Sequence, residues 1–254
     1  MRKTVGALCA ALCLSLVPAR SDATVILSFT GTTPDTLVDV KFEASLTISG
    51  NTLTIVLENK SMSLVPPSAS LNPNDLLTSF YFDIFDGVNR PTLSYVSASG
   101  DVYTGDKDAV DVLTTAGANL KAVNPGDNTW QFKPGLTLQP ATDLLTFGIG
   151  TAGNNSLTPN GFNGNIVDGF DYGIYAGDVS TNNLDGDLLV KGPATFVFSG
   201  VSGFSEADIA DEALFGLGTQ PDSTGLVPEP STAFLLGLGL AGLGLRGRSR
   251  SRRS

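Results

Sequence analysis

The side chains best placed to do chemistry in this chain are its aspartates. Asp101, Asp106, Asp108 and Asp111 form the densest acidic cluster, and Asp168 with Asp171 and the run Asp185-Gly186-Asp187 form smaller ones. Loops rich in Asp, Asn and Gly can supply the roughly six to eight oxygen ligands that calcium takes. None of the clusters has EF-hand spacing, since Asp185-Gly186-Asp187 lacks both the preceding aspartates and the closing glutamate. Acidic residues in such loops more commonly close turns. No cofactor is therefore expected, and Asp101, Asp106, Asp108 and Asp111 stand as the calcium candidates.

The residues that are missing exclude more chemistry than those present suggest. The chain has no histidine, and its two cysteines, Cys9 and Cys13, both lie in an N-terminal apolar run. Without histidine there is no Ser-His-Asp or Cys-His arrangement and no imidazole zinc ligand. A glycoside hydrolase needs only two carboxylates at a defined separation. Glutamate, however, occurs between residues 24 and 225 only at positions 43, 58, 206 and 212. Glu43 and Glu58 alternate with apolar residues and read as solvent-facing strand positions, while Glu206 and Glu212 fall on an expected exposed helix. No enzymatic activity is expected. A sugar-binding face is the alternative chemistry, built from aromatics among Trp130, Tyr81, Tyr95, Tyr103, Tyr172 and Tyr175. Trp130 is the candidate glycan contact, although an aromatic on a strand can equally fill a core.

The two ends read as addresses. Arg2 and Lys3 precede an apolar run over 4–17, with small residues at Ala19, Ser21 and Ala23. This is the order of a secretory signal peptide, residues 1–23. Cleavage by signal peptidase is expected after Ala23, with Ala19 as the alternative. The chain between leader and tail would then contain no cysteine and no disulfide. At the other end Val227-Pro228-Glu229-Pro230 precedes an uncharged segment, 231–245, and then Arg246, Arg248, Arg250, Arg252 and Arg253. Fifteen helical residues rise about 22 Å, short of the ~30 Å hydrocarbon core. Pro228 and Pro230 stop the helix from lengthening upstream. A transient membrane insertion is expected, with the arginines on the cytoplasmic side.

The order of Pro-Glu-Pro, hydrophobic span and arginine cluster over about 226–254 resembles the PEP-CTERM sorting domain of Gram-negative bacteria. The resemblance implies that an integral-membrane exosortase recognises Pro228-Glu229-Pro230 and cuts near it. The protein would be exported across the inner membrane, held briefly by its tail, and released to the cell surface or the exopolysaccharide matrix.

Between the ends, residues 24–225 carry seven basic and 23 acidic residues, a net charge of −16. A surface this acidic repels nucleic acid and anionic lipid, so neither is expected as a partner. The hydrophobic pattern is mainly period two. Val40, Phe42, Ala44, Leu46 and Ile48 alternate with polar residues, and Gly50-Asn51 offers a two-residue type II′ turn into 52–58. Further strands are expected at 25–30, 78–85, 92–97, 129–133, 144–149, 171–175, 194–199 and 214–218. A turn or short helix is expected within 106–120. Ser205 with Asp208 has capping-box spacing and predicts a helix over about 205–212. The expected fold is all-β: a single antiparallel β-sandwich, jelly-roll-like, over 24–218, with one or two short helices. A linker at 219–226 joins it to the sorting signal at 227–254.

Segments 161–164, 168–174 and 203–209 also resemble uncharacterised exosortase-dependent surface proteins of β-rich type. Their closing Phe-Gln-Tyr-Gly-Thr element is replaced here by Phe215-Gly216-Leu217-Gly218-Thr219. That resemblance implies a secreted β domain and transfers no site residues. The functional expectation is a structural or interaction protein of the exopolysaccharide layer. The alternative is a carbohydrate-binding module, and behind it a carboxylate-based glycoside hydrolase.

Overall fold

The computed structural model describes residues 23–32, 39–61, 76–105, 112–121, 129–138, 143–151, 172–175, 186–218 and 225–226. The expected leader (apart from Ala23) and the expected sorting segment 227–254 lie outside them. Twelve strands follow in order: β1 (Thr24–Thr32), β2 (Asp39–Ser49), β3 (Thr52–Asn59), β4 (Leu77–Phe82), β5 (Ser94–Thr104), β6 (Val112–Asn119), β7 (Gln131–Leu138), β8 (Leu145–Gly150), β9 (Ile174–Tyr175), β10 (Leu188–Ser199), β11 (Leu214–Leu217) and β12 (Gly225–Leu226). One 3-10 turn, Glu206–Asp208, interrupts them. Among the described residues there is no α-helix, and no helix long and apolar enough to cross a membrane. The domain is all-β.

The β2–β3 hairpin shows how the sequence builds this fold. Val40, Phe42, Ala44, Leu46 and Ile48 on β2 and Leu53, Ile55 and Leu57 on β3 are all buried, as strict alternation requires. Each of these side chains larger than Ala44 contributes about 1.5–3 kcal/mol on leaving water. Ser49 pairs with Thr52 across the turn. Gly50 has φ +60°, and Asn51 is not among the positive-φ residues, which matches a type II′ turn rather than I′. The same register sets Glu43 directly opposite Glu58, a like-charge pair that would repel. Lys60 resolves it: its Nζ lies 2.7 Å from Glu43 Oε1 and 3.3 Å from Glu58 Oε2. The hydrogen bond to Glu43, with Glu58 close by, raises the Lys60 ammonium above its usual pKa.

Hydrogen bonding joins all twelve strands into one mixed sheet. One run is β1-β2-β3-β10, continued through the other edge of β10 by β5 and β6. A two-residue parallel pairing with β10 makes β9 the link to β4. There β8 and β11 flank β4, with β7 beyond β8 and β12 beyond β11. Rings from strands that share no ladder meet in the core. Phe42 on β2 stacks on Phe215 of β11 at 6.0 Å, and Phe198 on β10 lies 4.9 Å from Phe132 of β7 and 6.5 Å from Phe82 of β4. All six residues of β4 and all six of β8 are buried, so both strands are enclosed on two faces. Phe80 and Phe82 face the main core, while Tyr81 joins Leu136, Leu138, Leu145 and Leu214 in a second cluster.

Several expectations change in detail. The region read as a turn or short helix contains β6 at Val112–Asn119, paired to β5. Val112 and Leu113 looked like part of a helical stripe, but the ladder offered by β5 decides the conformation, and Thr114 and Thr115 suit it. The expected helix at 205–212 shrinks to the 3-10 turn. Its first turn is capped as read, with Ser205 N donating to Asp208 Oδ2 at 2.7 Å. Beyond it the backbone is taken by strand-like bonds instead: Ile209 bridges to Ile84, and Ala210 N donates to Asp83 O. β4 ends at Phe82, with Ile84 continuing only as that bridge. The strand expected at 171–175 is two residues long, and those expected at 92–97 and 194–199 extend to 11 and 12 residues. Part of the supposed linker is held, since Leu226 pairs with Leu214.

Gly200 ends β10 with φ +106°, and a Cβ there would stand 2.1 Å from Thr92 O. Gly50 also has positive φ but open space around it. Gly200→Ala should lose about 3 kcal/mol or more in urea unfolding, from strain plus overlap. Gly50→Ala should lose about 1–2 kcal/mol, and equal losses would contradict this packing. Burial also raises the Tyr81 phenol from 10.0 to about 12, and Tyr95 is raised by burial as well. The stability held by neutral Tyr81 is complete below pH 10 and is lost as pH rises towards 12. Melting temperatures over that window should fall less steeply in Tyr81→Phe than in the parent; unchanged slopes would count against the burial.

Candidate functional site

At the end of β4 the chain turns a carboxylate inward. Asp83 is 3% exposed, and a charge so buried must be paired. Arg90 Nε reaches Oδ1 at 3.0 Å and Oδ2 at 2.9 Å, and a terminal guanidinium nitrogen reaches Oδ2 at 2.8 Å. The Thr146 hydroxyl of β8 donates to Oδ1. The loop between Asp83 and Arg90 is preset by Asp86, whose Oδ1 accepts Asn89 N at 2.6 Å and Val88 N at 2.8 Å. Those backbone bonds, Asn89 first and then Val88, hold the exposed Asp86 carboxyl below its ordinary pKa. The turn returns the chain so that the Arg90 guanidinium also lies 4.4 Å from the centre of the Phe85 ring.

A second strap closes the far side. Phe85 N donates to Asp208 O at 2.7 Å and Ala210 N to Asp83 O at 3.1 Å. Buried Glu212 accepts Asp143 N at 3.0 Å, which fixes the approach to β8. Together these segments enclose an open cleft of about 250 Å3, lined by Asp83, Phe85, Arg90, Asp143, Leu144 and residues 207–211. Phe85 is 40% and Leu144 38% exposed, so the cleft has an apolar wall. Asp143, Asp208 and Asp211 give it a negative rim, and its single cation, Arg90, is engaged by Asp83. Such a surface can accept hydrogen bonds from hydroxyl or ammonium groups while an aromatic edge covers an apolar face.

The residues singled out from the sequence lie elsewhere. Trp130 is fully buried, donates its indole N–H to Tyr172 O at 2.9 Å, and packs 4.9 Å from Phe196. A ring enclosed in this way presents no face to a sugar, so Trp130 serves the core and the glycan contact assigned to it is corrected. Tyr81 and Tyr175 are buried too; Tyr95, Tyr103 and Tyr172 are partly exposed. Asp101 lies exposed on β5, its Oδ1 accepting Gly117 N at 2.8 Å. Its expected calcium partners Asp106, Asp108 and Asp111 lie outside the described residues, as do Val227, Pro228, Glu229, Pro230 and the five arginines. Among the described residues no three His, Cys, Asp or Glu side chains converge to hold a metal. Ala23 is exposed, immediately before β1. Glu43 and Glu58 are engaged by Lys60, and Glu206 Oε1 accepts Ile48 N at 3.3 Å.

The cleft was not singled out from the sequence, yet one signal for it was visible. Arg90 is the sole arginine between residues 24 and 225 and follows by seven an aspartate set in an otherwise apolar strand pattern. Arg90→Ala should lower stability by about 2–4 kcal/mol, because it leaves a buried carboxylate without its cation. Adding Asp83→Asn to that variant should recover part of the loss in chemical denaturation; a double variant as unstable as the sum of the singles would contradict the pairing.

Comparison with known proteins bears on the other end of the chain. No curated protein matches it. Among solved structures, the KRT10-binding region domain of the pneumococcal serine rich repeat protein PsrP aligns at 13% identity, covering 82% of this chain and 98% of that one, with a TM-score of 0.30. A superposition this loose carries no argument. The family model for the PEP-CTERM protein-sorting motif matches residues 226–250, from the last residue of β12 through the Pro-Glu-Pro segment, the apolar span and the first three arginines. The chain carries a PEP-CTERM protein-sorting motif at its C-terminal end.

Proposed function

We propose that this is a secreted, exosortase-processed protein of the cell surface or extracellular matrix, with a structural or interaction role in the exopolysaccharide layer and no enzymatic activity. The observation that carries the reading is the match of residues 226–250 to the sorting motif. The leader at 1–23 delivers the chain to the inner membrane and is removed after Ala23, one residue before β1 begins. The span 231–245 is long enough to enter the bilayer but short for a permanent anchor. Cutting near Pro228-Glu229-Pro230 then frees a two-layered, sandwich-like β domain. Its net charge of −16 over 24–225 keeps it soluble in a hydrated matrix. The tail is the address, and the domain is the cargo.

A second reading is favoured by the cleft. A carbohydrate-binding module needs an exposed aromatic beside carboxylates, and Phe85, Asp143 and Asp211 provide that arrangement. The two readings are compatible, because a matrix protein can be held in place by the polymer around it.

Mass spectrometry of the protein isolated from the producing cell's surface tests the first reading. The expected masses begin at Thr24 and end between residues 228 and 230, and a protein retaining its arginine tail would refute cleavage. Glycan-array binding tests the second. Binding to the producer's polysaccharide should weaken at least tenfold in Phe85→Ala and stay unchanged in Tyr103→Phe. Silence of the parent protein would rule the module out.

A further inference from the structure

The last described strand adjoins the sorting motif in sequence. β12, Gly225–Leu226, is two residues long, and its second residue is also the first that the family model matches. Gly225 pairs with Phe215 and Leu226 with Leu214 of β11. The same strand lies against β1. β12 therefore sits where the two ends of the run β1-β2-β3-β10-β9-β4-β11 come together. Carried on in the same register, the ladder would set Pro228 opposite Glu212 and Glu229 opposite Asp211. A proline brings no N–H to a ladder, and two acids face to face repel. The sequence thus lets β12 pair and works against the motif joining the sheet.

We propose that β12 is a latch on processing: while it is paired, the segment around Pro228 cannot be seated in the enzyme, and cleavage waits for β12 to leave β11. This rests on the exosortase reading above and adds a condition to it. Pro228 follows Leu226 by two residues, which span at most about 7 Å. A peptide bound in extended form gives its own N–H and C=O groups to the partner, and at Gly225 and Leu226 β11 competes for them. Gly218 is the fixed point behind the latch. Its N–H donates to Leu76 O at 3.0 Å, and its O accepts the Thr78 hydroxyl at 2.7 Å. With β12 released, Pro228 stands ten residues beyond Gly218, up to about 35 Å of chain. That reach lets the enzyme close around the motif without meeting the sheet. The ladder is only two residues long, so its opening is a local event that leaves β10 and the core intact. β12 takes no part in breaking the peptide bond; it decides when the bond is reachable.

A disulfide across the ladder tests the latch. Cys9 and Cys13 are first changed to alanine, which removes every native thiol. Leu214→Cys with Leu226→Cys then joins two directly paired residues, whose Cα separation in an antiparallel ladder, about 4.5–5.5 Å, suits the bond. Loss of the arginine tail is followed over time by mass spectrometry in pulse-labelled producing cells. The oxidised double variant should lose its tail at least tenfold more slowly than the parent, while Leu226→Cys alone keeps the parent's rate. Reduction should restore that rate. So should about six Gly and Ser residues inserted between Leu226 and Val227, which lengthen the stem without touching the ladder. An oxidised variant cleaved as fast as the parent would overturn the latch and leave the exosortase reading standing. Slow cleavage that neither reduction nor the insertion relieves would overturn it too, as would failure of the two cysteines to join. A parent that keeps its arginine tail would remove the exosortase reading and the latch together.

Discussion

The structure depends on β10. It carries ladders on both edges, to β3 on one side and β5 on the other. Near its start the edge facing β3 is taken by β9, which also pairs with β4. The same strand sends Phe196 and Phe198 into the core, where Phe198 touches Tyr95, Phe82 and Phe132 and Phe196 meets Trp130. Backbone pairing and ring packing therefore converge on about twelve residues. In a body that has no cysteine and no histidine between 24 and 225, stability must come from such convergence, since neither disulfides nor thiolate- or imidazole-bound metal can contribute.

The strongly acidic composition imposes a second constraint, and the fold meets it with few cations. Lys60 sits between facing Glu43 and Glu58, and Arg90 neutralises buried Asp83. Glu206, Asp208 and Glu212 spend their carboxylates on backbone N–H groups of other segments or of their own turn. These are positional uses: they fix where the strap at 205–212 lies against β2, β4 and β8. The cleft beside Arg90 is a consequence of that strapping, and its negative rim is what remains when the few cations have been assigned.

Much of this was readable from the sequence. The β2–β3 hairpin followed from alternation and from Gly50, and the buried Phe80, Phe82 and Ile84 face followed from the same period. The failures have physical causes. Val112 and Leu113 had no period of their own strong enough to oppose the ladder that β5 offers, so a non-local pairing decided β6. The helix predicted by Ser205 and Asp208 was stopped by residues 83–85, more than a hundred positions away. Trp130 illustrates the ambiguity of aromatics, because nothing local tells a core ring from a binding ring. The Asp83–Arg90 pair needed the fold to bring Thr146 and the strap beside it. By contrast, the sorting motif is local, and three contiguous features sufficed to read it.

The chain has two parts of separate chemistry: a tail that carries the sorting motif and a β domain with its own core. The domain has β10 at its centre, and native-state hydrogen exchange tests that most directly. The amides of residues 195–198 should be the slowest in the protein and should exchange only with global unfolding, at a free energy equal to that from denaturant. Exchange of those amides ahead of β1 and β6, or through a separate opening of β10 from β3, would contradict it.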